Sequence, residues 1–226
     1  MRNDESAAFT SSGFVRLGGF HPRARVEPIR RTVLEQLKHV YRGRGLSRSL
    51  RSLPAFQQIA ALSRSVEVPG LHAALMTREL NAIVAGLGGR SPSNVQATQL
   101  LLSPPQQGAW TLQGLNWHVD VAADARGPVP GVQAFFLIDD VAPHGGATLA
   151  LAGSHRPEVD GPALRRMLRM STHLEQDLDR IGMGIVEMAG RAGDVFLMDM
   201  RLLHTPSVNA SRSARIMATT RCLMND

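Results

Sequence analysis

The spacing of His118 and Asp120 around one intervening residue, together with the distant His204, is the feature that most restricts how this chain can fold. Two imidazoles and one carboxylate are the ligands of the facial triad, which holds Fe(II) and leaves the opposite coordination positions open for oxygen chemistry. In an extended strand alternate side chains point the same way, so His118 and Asp120 can face one ion while Trp117 and Val119 flank it. The chain has eight histidines, so a His-x-Asp alone is weak evidence.

Three further segments accompany this motif. They are an apolar run at 132–140 (VQAFFLIDD), a small-residue stretch at 145–156 (GGATLALAGSHR), and the approach to the second histidine at 193–204 (GDVFLMDMRLLH). In this order and at this spacing, over about residues 96–222, the chain resembles the phytanoyl-CoA dioxygenase-like family of Fe(II)/2-oxoglutarate oxygenases.

The resemblance implies a mainly β fold with flanking helices, built on a double-stranded β-helix (jelly-roll, cupin-like) core. It implies that His118, Asp120 and His204 bind iron as the catalytic centre, with 2-oxoglutarate and O2 as co-substrates. The implied reaction is hydroxylation of an unactivated C–H bond in a small-molecule substrate. Desaturation or cyclisation at the same site stays open, as do a cupin-like metal protein without 2-oxoglutarate and a nucleic-acid-binding protein.

The family pattern also predicts an arginine eleven residues beyond the second metal histidine, where this chain has Arg215. A guanidinium can grip the distal carboxylate of 2-oxoglutarate with a planar, two-pronged geometry that an ammonium lacks. The preceding residues predict a turn, and Arg215 itself a returning strand beside the one that carries His204. Arg212 in the turn and Arg221 near the C-terminus remain competitors for this role.

Three other positions bear on co-substrate binding. In the family a glutamine occupies the place of Gln99, although a buried structural glutamine would look the same. Many members have a small hydroxyl residue two positions after the second histidine, where this chain has Pro206. Some have a basic residue where Ser103 precedes a proline pair. Pro206 removes an expected contact to the co-substrate. Because Ser103 is not basic, Arg215 would have to bind more of the 2-oxoglutarate carboxylate alone.

Residues 1–90 predict a mostly helical buttress against a core at 91–226. Pro28 suits a first helical turn, and an apolar stripe follows it up to a stop at Gly43, formed by Ile29, Val33, Leu37, Val40 and Tyr41. Residues 54–65 and 69–87 predict two further helices, and residues 88–94 a break.

A helical insertion is predicted near residues 162–180, with an approximate apolar stripe of Leu164, Leu168, Leu174, Leu178 and Ile181. Inserted segments on a rigid scaffold often recognise substrates, but we favour packing of this stripe on the sheet. For His155 and Arg156 in the preceding loop we expect a structural or supporting role.

The length of 226 residues fits one domain spanning 1–226. No stretch approaches the about 18–20 apolar residues of a membrane span, and the polar start lacks a signal-peptide core, so we expect a cytoplasmic enzyme that does not bind membranes. The lone Cys222 fits a reducing compartment and a packing role in a late strand. The oligomeric state is left open.

The net charge of +6 arises near the N-terminus, because residues 1–51 hold eleven Lys/Arg against four Asp/Glu. A cluster of Arg42, Arg44, Arg48 and Arg51 can attract an anionic ligand, but we favour a solvated face. Aromatic residues are only 4% of the chain, so stacking platforms are scarce and no specific nucleic-acid partner is expected. The arginine bias is compatible with bacterial biosynthesis or catabolism.

Overall fold

The computed structural model describes residues 3–42 and 52–224. The helices within these residues are α1 (Asn3–Ser12), α2 (Arg23–Arg42), α3 (Ala55–Arg64), α4 (Leu71–Leu75), α5 (Arg78–Gly88), α6 (Gly161–Met170) and α7 (Leu174–Arg180). The strands are β1 (Phe14–Leu17), β2 (Asn94–Val95), β3 (Gln99–Ser103), β4 (Gly131–Leu137), β5 (Thr148–Leu151), β6 (Ile185–Glu187), β7 (Val195–Asp199), β8 (His204–Pro206) and β9 (Arg215–Leu223).

Two antiparallel sheets form the core. The larger sheet has the order β1-β7-β4-β9-β2, with β3 also paired to β9, and the smaller sheet has the order β6-β5-β8. Phe135 of β4, Ala150 of β5 and Met217 of β9 share one buried cluster between the sheets. The predicted double-stranded β-helix core with flanking helices is therefore confirmed.

Strand β4 shows why the apolar run at 132–140 lacks polar alternation. Phe135 and Leu137 pack between the two sheets, whereas the intervening Phe136 joins a second cluster with side chains of helices α2 and α5. Every residue of β4 is buried. A strand covered on both faces needs apolar side chains at nearly every position.

The N-terminal third departs from the prediction at several points. Helix α1 was not predicted, and residues 69–87, predicted as one helix, form two, α4 and α5, which are separated at Met76 and Thr77. Helix α2 begins at Arg23, five residues before Pro28, so the placement of Pro28 in a first turn is wrong. Val26, which is 1% exposed, extends the buried stripe by one turn. The favourable free energy of burying this face offsets the cost of the backbone hydrogen bond that Pro28 cannot donate. Strand β1 also lies in this third and pairs with β7, which the sequence analysis did not anticipate.

The predicted insertion consists of two helices, α6 and α7. The four leucines of the predicted stripe are buried in them and pack against Leu149 and Leu151 of the smaller sheet. Ile181, also assigned to the stripe, is 48% exposed, so that part of the prediction is wrong. It lies just beyond the end of α7 and no longer follows the helical period.

Strand β9 belongs to the larger sheet, whereas His204 begins β8 of the smaller one. The prediction that Arg215 returns beside the strand of His204 is therefore wrong, because the turn at 209–213 carries the chain from one sheet to the other. Local periodicity does not encode that change of sheet.

Within the described residues, none of the helices combines the length and apolarity needed to cross a membrane. Gly43, Arg44, Arg48, Arg51 and the side chain of Arg42 lie outside the described residues.

Candidate metal centre

His118 lies in an irregular segment, residues 104–130, whose regular pairing is limited to one β-bridge to His204. The N–H of each histidine donates to the carbonyl of the other, both at 3.0 Å. The N–H groups of Asp120 and Val121 both donate to the carbonyl of Met200, at 3.1 and 3.2 Å. His118 and Asp120 therefore do not lie in the regular strand that was expected. Backbone hydrogen bonds hold their segment to the chain at two places, His204 and Met200.

The two imidazoles have the same orientation relative to the backbone. Nδ1 of His118 lies 2.9 Å from the carbonyl oxygen of Asn116, and Nδ1 of His204 lies 3.0 Å from that of Leu202. A carbonyl only accepts, so each Nδ1 donates its proton and each Nε2 keeps a lone pair for an ion. Ligand atoms of His118, Asp120 and His204 lie within 4.8 Å of one another. The three residues can therefore bind a metal ion together.

The two oxygens of Asp120 differ in their surroundings. Oδ1 accepts a hydrogen bond from Nη2 of Arg221 at 2.7 Å. Oδ2 is buried, lies 3.6 Å from Nε2 of His204, and has no hydrogen-bond partner among the described residues. A buried carboxylate oxygen without a partner is costly, so a divalent ion at this point fits the site. Two imidazoles and one carboxylate suit Fe(II).

Burial also sets the protonation of the second histidine. Desolvation lowers the pKa of His204 below its ordinary value, although the nearby Asp120 carboxylate opposes this shift. The imidazole is therefore neutral near pH 7, which is the form that binds a metal.

Arg201 fixes the chain that follows Asp120. Its guanidinium is bidentate to Asp199, with Nε 3.1 Å from Oδ1 and Nη2 2.7 Å from Oδ2. Its Nη1 donates to three carbonyls in residues 124–127, at 3.0 to 3.2 Å. Nη1 carries two N–H groups, so at least one of them is shared between two of these carbonyls. No role was predicted for Arg201, although a charged residue within the largely apolar run at 193–204 was a signal.

The loop after β5 supports the second histidine. The hydroxyl oxygen of Ser154 accepts a hydrogen bond from the N–H of Leu203 at 2.9 Å, next to His204. Nε2 of His155 lies 3.1 Å from the carbonyl oxygen of Thr10 in α1. These contacts are structural, in agreement with the role expected for His155.

A cavity of about 890 Å³ is lined by two of the three candidate metal ligands, His118 and His204. Its lining includes Arg215, Thr219 and Arg221, which alternate along β9 and so share one face of that strand.

Arg215 is buried, and no acidic group among the described residues pairs with it. Its Nη1 donates to the carbonyl of Gly146 and its Nη2 lies 3.4 Å from that of Leu101, while Nε has no partner among the described residues. Desolvation lowers the pKa of Arg215 to about 10. A buried guanidinium that meets only neutral groups is costly, and a carboxylate ligand in the cavity would offset this cost.

The other arginine candidates are placed differently. Arg212 is exposed in the turn, and Arg221 is engaged with Asp120. Gln99 also lines the cavity, opposite Thr219 in the register of β3 and β9. Of these, Arg215 alone combines burial with a lack of anionic partners among the described residues.

The two departures from the family pattern also have structural counterparts. Ser103 is buried and donates its hydroxyl proton to Oε1 of Gln107 at 3.1 Å. Pro206 lines the cavity, and Thr148 of β5, its partner in the register, brings a hydroxyl to the same place.

Among the cavity residues that were not predicted are two polar residues of β4 and β5. Thr148 and Gln133 both lie in apolar strand runs, where an isolated polar residue was the available signal. Nε2 of Gln133 donates to the hydroxyl of Thr219 at 3.0 Å, while its Oε1 has no partner among the described residues.

Part of the cavity lining comes from helix α3 and from the segment that leads to the start of α4. Most of its residues are apolar, namely Phe56, Ile59, Ala60, Val66, Val68, Pro69 and Leu71, and Ser63, Arg64 and Glu67 are polar or charged. Phe56 is 44% exposed, which is high for a large apolar side chain. Contact with an apolar ligand would give this exposed surface a function.

Several solved structures share this fold. The non-heme alpha ketoglutarate dependent carbocyclase SnoK from nogalamycin biosynthesis is 19% identical, with a TM-score of 0.66 over 100% of this chain and 85% of that one. EctD from S. alaskensis, crystallised with 2-oxoglutarate and 5-hydroxyectoine, is 19% identical, with a TM-score of 0.66 over 99% of this chain and 76% of that one. The epimerase SnoN from nogalamycin biosynthesis is 18% identical, with a TM-score of 0.59 over 96% and 80%.

Sequence comparison gives the family. No curated protein matches the chain significantly. The sequence profile described as Phytanoyl-CoA dioxygenase (PhyH) matches residues 9–217, which is nearly the whole chain. Together with the metal-binding residues found in the fold, this match shows that the chain belongs to the phytanoyl-CoA dioxygenase family and is a non-haem iron, 2-oxoglutarate-dependent dioxygenase.

Proposed function

We propose that the protein hydroxylates an unactivated C–H bond of a small molecule, with Fe(II) bound by His118, Asp120 and His204 and with 2-oxoglutarate anchored by Arg215. One observation carries this proposal. Among the described residues, Arg215 lines the cavity as a buried guanidinium without a counter-ion, and a carboxylate oxygen of Asp120, 3.6 Å from the cavity residue His204, has no hydrogen-bond partner. A bound cation would offset the cost of burying the unpartnered carboxylate oxygen, and a bound dicarboxylate would offset the cost of burying the guanidinium. Iron and 2-oxoglutarate, the ligands that the family uses, are such a cation and such a dicarboxylate.

The chain's own residues would position the reactants. Arg215 would hold the distal carboxylate of 2-oxoglutarate through two parallel N–H donors. Gln99 and Thr148 offer an amide and a hydroxyl in the same cavity. Fe(II), when bound with 2-oxoglutarate and O2, supplies the oxidising power that breaks a strong C–H bond while succinate and CO2 form. The protein contributes orientation and exclusion of water.

The cavity supports a small-molecule substrate. Ligand pockets commonly have volumes of roughly 300–1,000 Å³, and this one has about 890 Å³. The apolar wall around Phe56 favours a substrate with an apolar body, whereas the polar groups of β9 face the reacting end.

Cyclisation or desaturation at the same site is the second candidate. It is favoured by the shared fold of the carbocyclase SnoK and the epimerase SnoN. Either reaction needs a substrate radical that is held away from oxygen transfer, which depends on substrate position rather than on the metal ligands. Halogenation is disfavoured, because Asp120 fills the coordination position that chloride would need.

Anaerobic titration tests the cofactor assignment. We expect the apoprotein to bind one Fe(II), and addition of 2-oxoglutarate to produce a metal-to-ligand charge-transfer band in the visible spectrum. His204→Ala should give no such band. Iron binding without any band at saturating 2-oxoglutarate would instead favour a cupin-like metal protein.

A substrate screen under ¹⁸O₂ tests the reaction type. A true substrate should accelerate succinate formation, with one labelled oxygen atom in succinate and, for hydroxylation, label in the product after allowance for exchange with water. A product that is two hydrogens lighter than the substrate and carries no label would show that the enzyme catalyses desaturation or cyclisation instead. A chlorinated product would contradict the role of Asp120.

A further inference from the structure

Strand β9 carries two arginines on one face, and they have different partners. Arg215 and Arg221 are six residues apart, or roughly 20 Å along an extended strand. Arg215 meets only neutral carbonyls, which suits binding of an anionic ligand. Arg221 already meets the carboxylate of Asp120 and therefore has a different task.

The contact with Arg221 gives the two oxygens of Asp120 different surroundings. Nη2 of Arg221 holds Oδ1 at 2.7 Å, while Oδ2, on the side of His204, has no hydrogen-bond partner among the described residues. The side chain of Asp120 is only 7% exposed, so water reaches it poorly. A charge-assisted bond of this length fixes the rotation of the carboxylate and withholds Oδ1 from other ligands.

A carboxylate can bind a metal through one oxygen or through both. A facial triad leaves three positions open, of which 2-oxoglutarate takes two and O2 the third. We propose that Arg221 is a positioning residue that keeps Asp120 bound through one oxygen only, so that this third position stays open. This inference rests on the metal ligands of the proposed function.

The alternative role for Arg221 is simple charge balance. In that case its loss would change affinities but not the coordination mode of Asp120. Geometry at the metal therefore separates the two roles, whereas activity alone would not.

Crystal structures of the protein loaded with Mn(II) test the inference directly. The set comprises the wild type, Arg221→Met, Arg221→Lys and the control Arg212→Met, which alters an exposed arginine in the turn before β9. We expect one Asp120 oxygen on the metal in the wild type, the control and the lysine variant, and two in Arg221→Met. Asp120 bound through one oxygen in Arg221→Met would overturn the inference.

Solution binding provides a second measurement. Arg221→Met should bind Fe(II) and 2-oxoglutarate within about threefold of the wild type, because 2-oxoglutarate needs only two of the open positions. Its complex with Fe(II) and 2-oxoglutarate should bind nitric oxide, a stand-in for O2, at least about tenfold more weakly, with recovery in Arg221→Lys, because the second oxygen of Asp120 would take the third position. Unchanged nitric oxide affinity would overturn the inference, and so would a tenfold loss of Fe(II) affinity in a folded variant. If Arg221→Met does not fold, Arg221→Gln takes its place in both measurements. Absence of metal from the triad of the wild type would count against the proposed function instead.

Discussion

His118 and His204 are joined through their backbones, each donating its N–H to the carbonyl of the other at 3.0 Å. This reciprocal pair brings their ring centroids to 4.4 Å. The backbone bridge thus fixes the separation of the two residues, and the Nδ1 contacts with the carbonyls of Asn116 and Leu202 orient the two rings. A site built on fixed elements holds its geometry before a ligand binds.

Replacement of His118 or His204 by alanine should abolish tight Fe(II) binding while the fold persists. The expected loss of affinity exceeds about 100-fold, because changes to groups that merely support a ligand already cost 10- to 100-fold. Iron stoichiometry and far-ultraviolet circular dichroism check this. Full iron occupancy in both variants would refute the ligand assignment.

Arg215→Met should have opposite effects on the free and the ligand-bound protein. Without 2-oxoglutarate the thermal midpoint should stay equal or rise, because a desolvated charge is removed. Affinity for 2-oxoglutarate should fall by about 2 to 5 kcal/mol, while Fe(II) affinity changes little. Arg212→Met is the matched control, and a stronger effect there would show that Arg215 is not the anchor.

Arg201→Ala should destabilise the protein by about 3 to 5 kcal/mol, because it leaves the buried carboxylate of Asp199 unpaired. It also frees residues 124–127, so metal binding should weaken as well. Arg180→Ala removes the exposed pair with Asp177 and should cost less than about 1 kcal/mol. Equal effects of the two changes on chemical denaturation would contradict the role of Arg201 as a clamp.

Stability should fall as the pH is lowered from about 6.5 to about 4, in part because of His21. Burial lowers the pKa of His21 to about 4, with Arg25 adding to this shift. In that window the unfolded chain takes up a proton that the folded protein does not, so protonation favours unfolding. His21→Phe, next to Phe20 and Phe136, should show a smaller drop in thermal midpoint than the wild type. An identical pH profile would rule out this contribution.

The basic N-terminal quarter should bind nucleic acid only weakly. Each neutralised phosphate releases condensed counterions, so non-specific binding should fall steeply with salt and vanish near physiological ionic strength. Fluorescence anisotropy with labelled DNA and RNA over a salt series measures this. Sub-micromolar binding with a sequence preference would instead establish a specific nucleic-acid function.

The sequence by itself determined which residues are the candidate metal ligands. His118, Asp120 and His204 were identified by residue type and by the segments around them, and the fold brings them together. The segments at 132–140 and 193–204, which carried the family resemblance, contain the buried strands β4 and β7, and their apolar composition fits strands that are covered on both faces. These are local properties, and they do not depend on which strands become neighbours.

The tertiary structure alone decided the long-range contacts. The sequence showed that Arg221 and Asp120 exist, but not that a turn would carry β9 into the larger sheet and bring Arg221 within 2.7 Å of that carboxylate. The clamp by Arg201 on residues 124–127 likewise joins parts of the chain that are more than 70 residues apart. Such contacts arise when two sheets pack, and packing depends on the whole set of buried side chains at once.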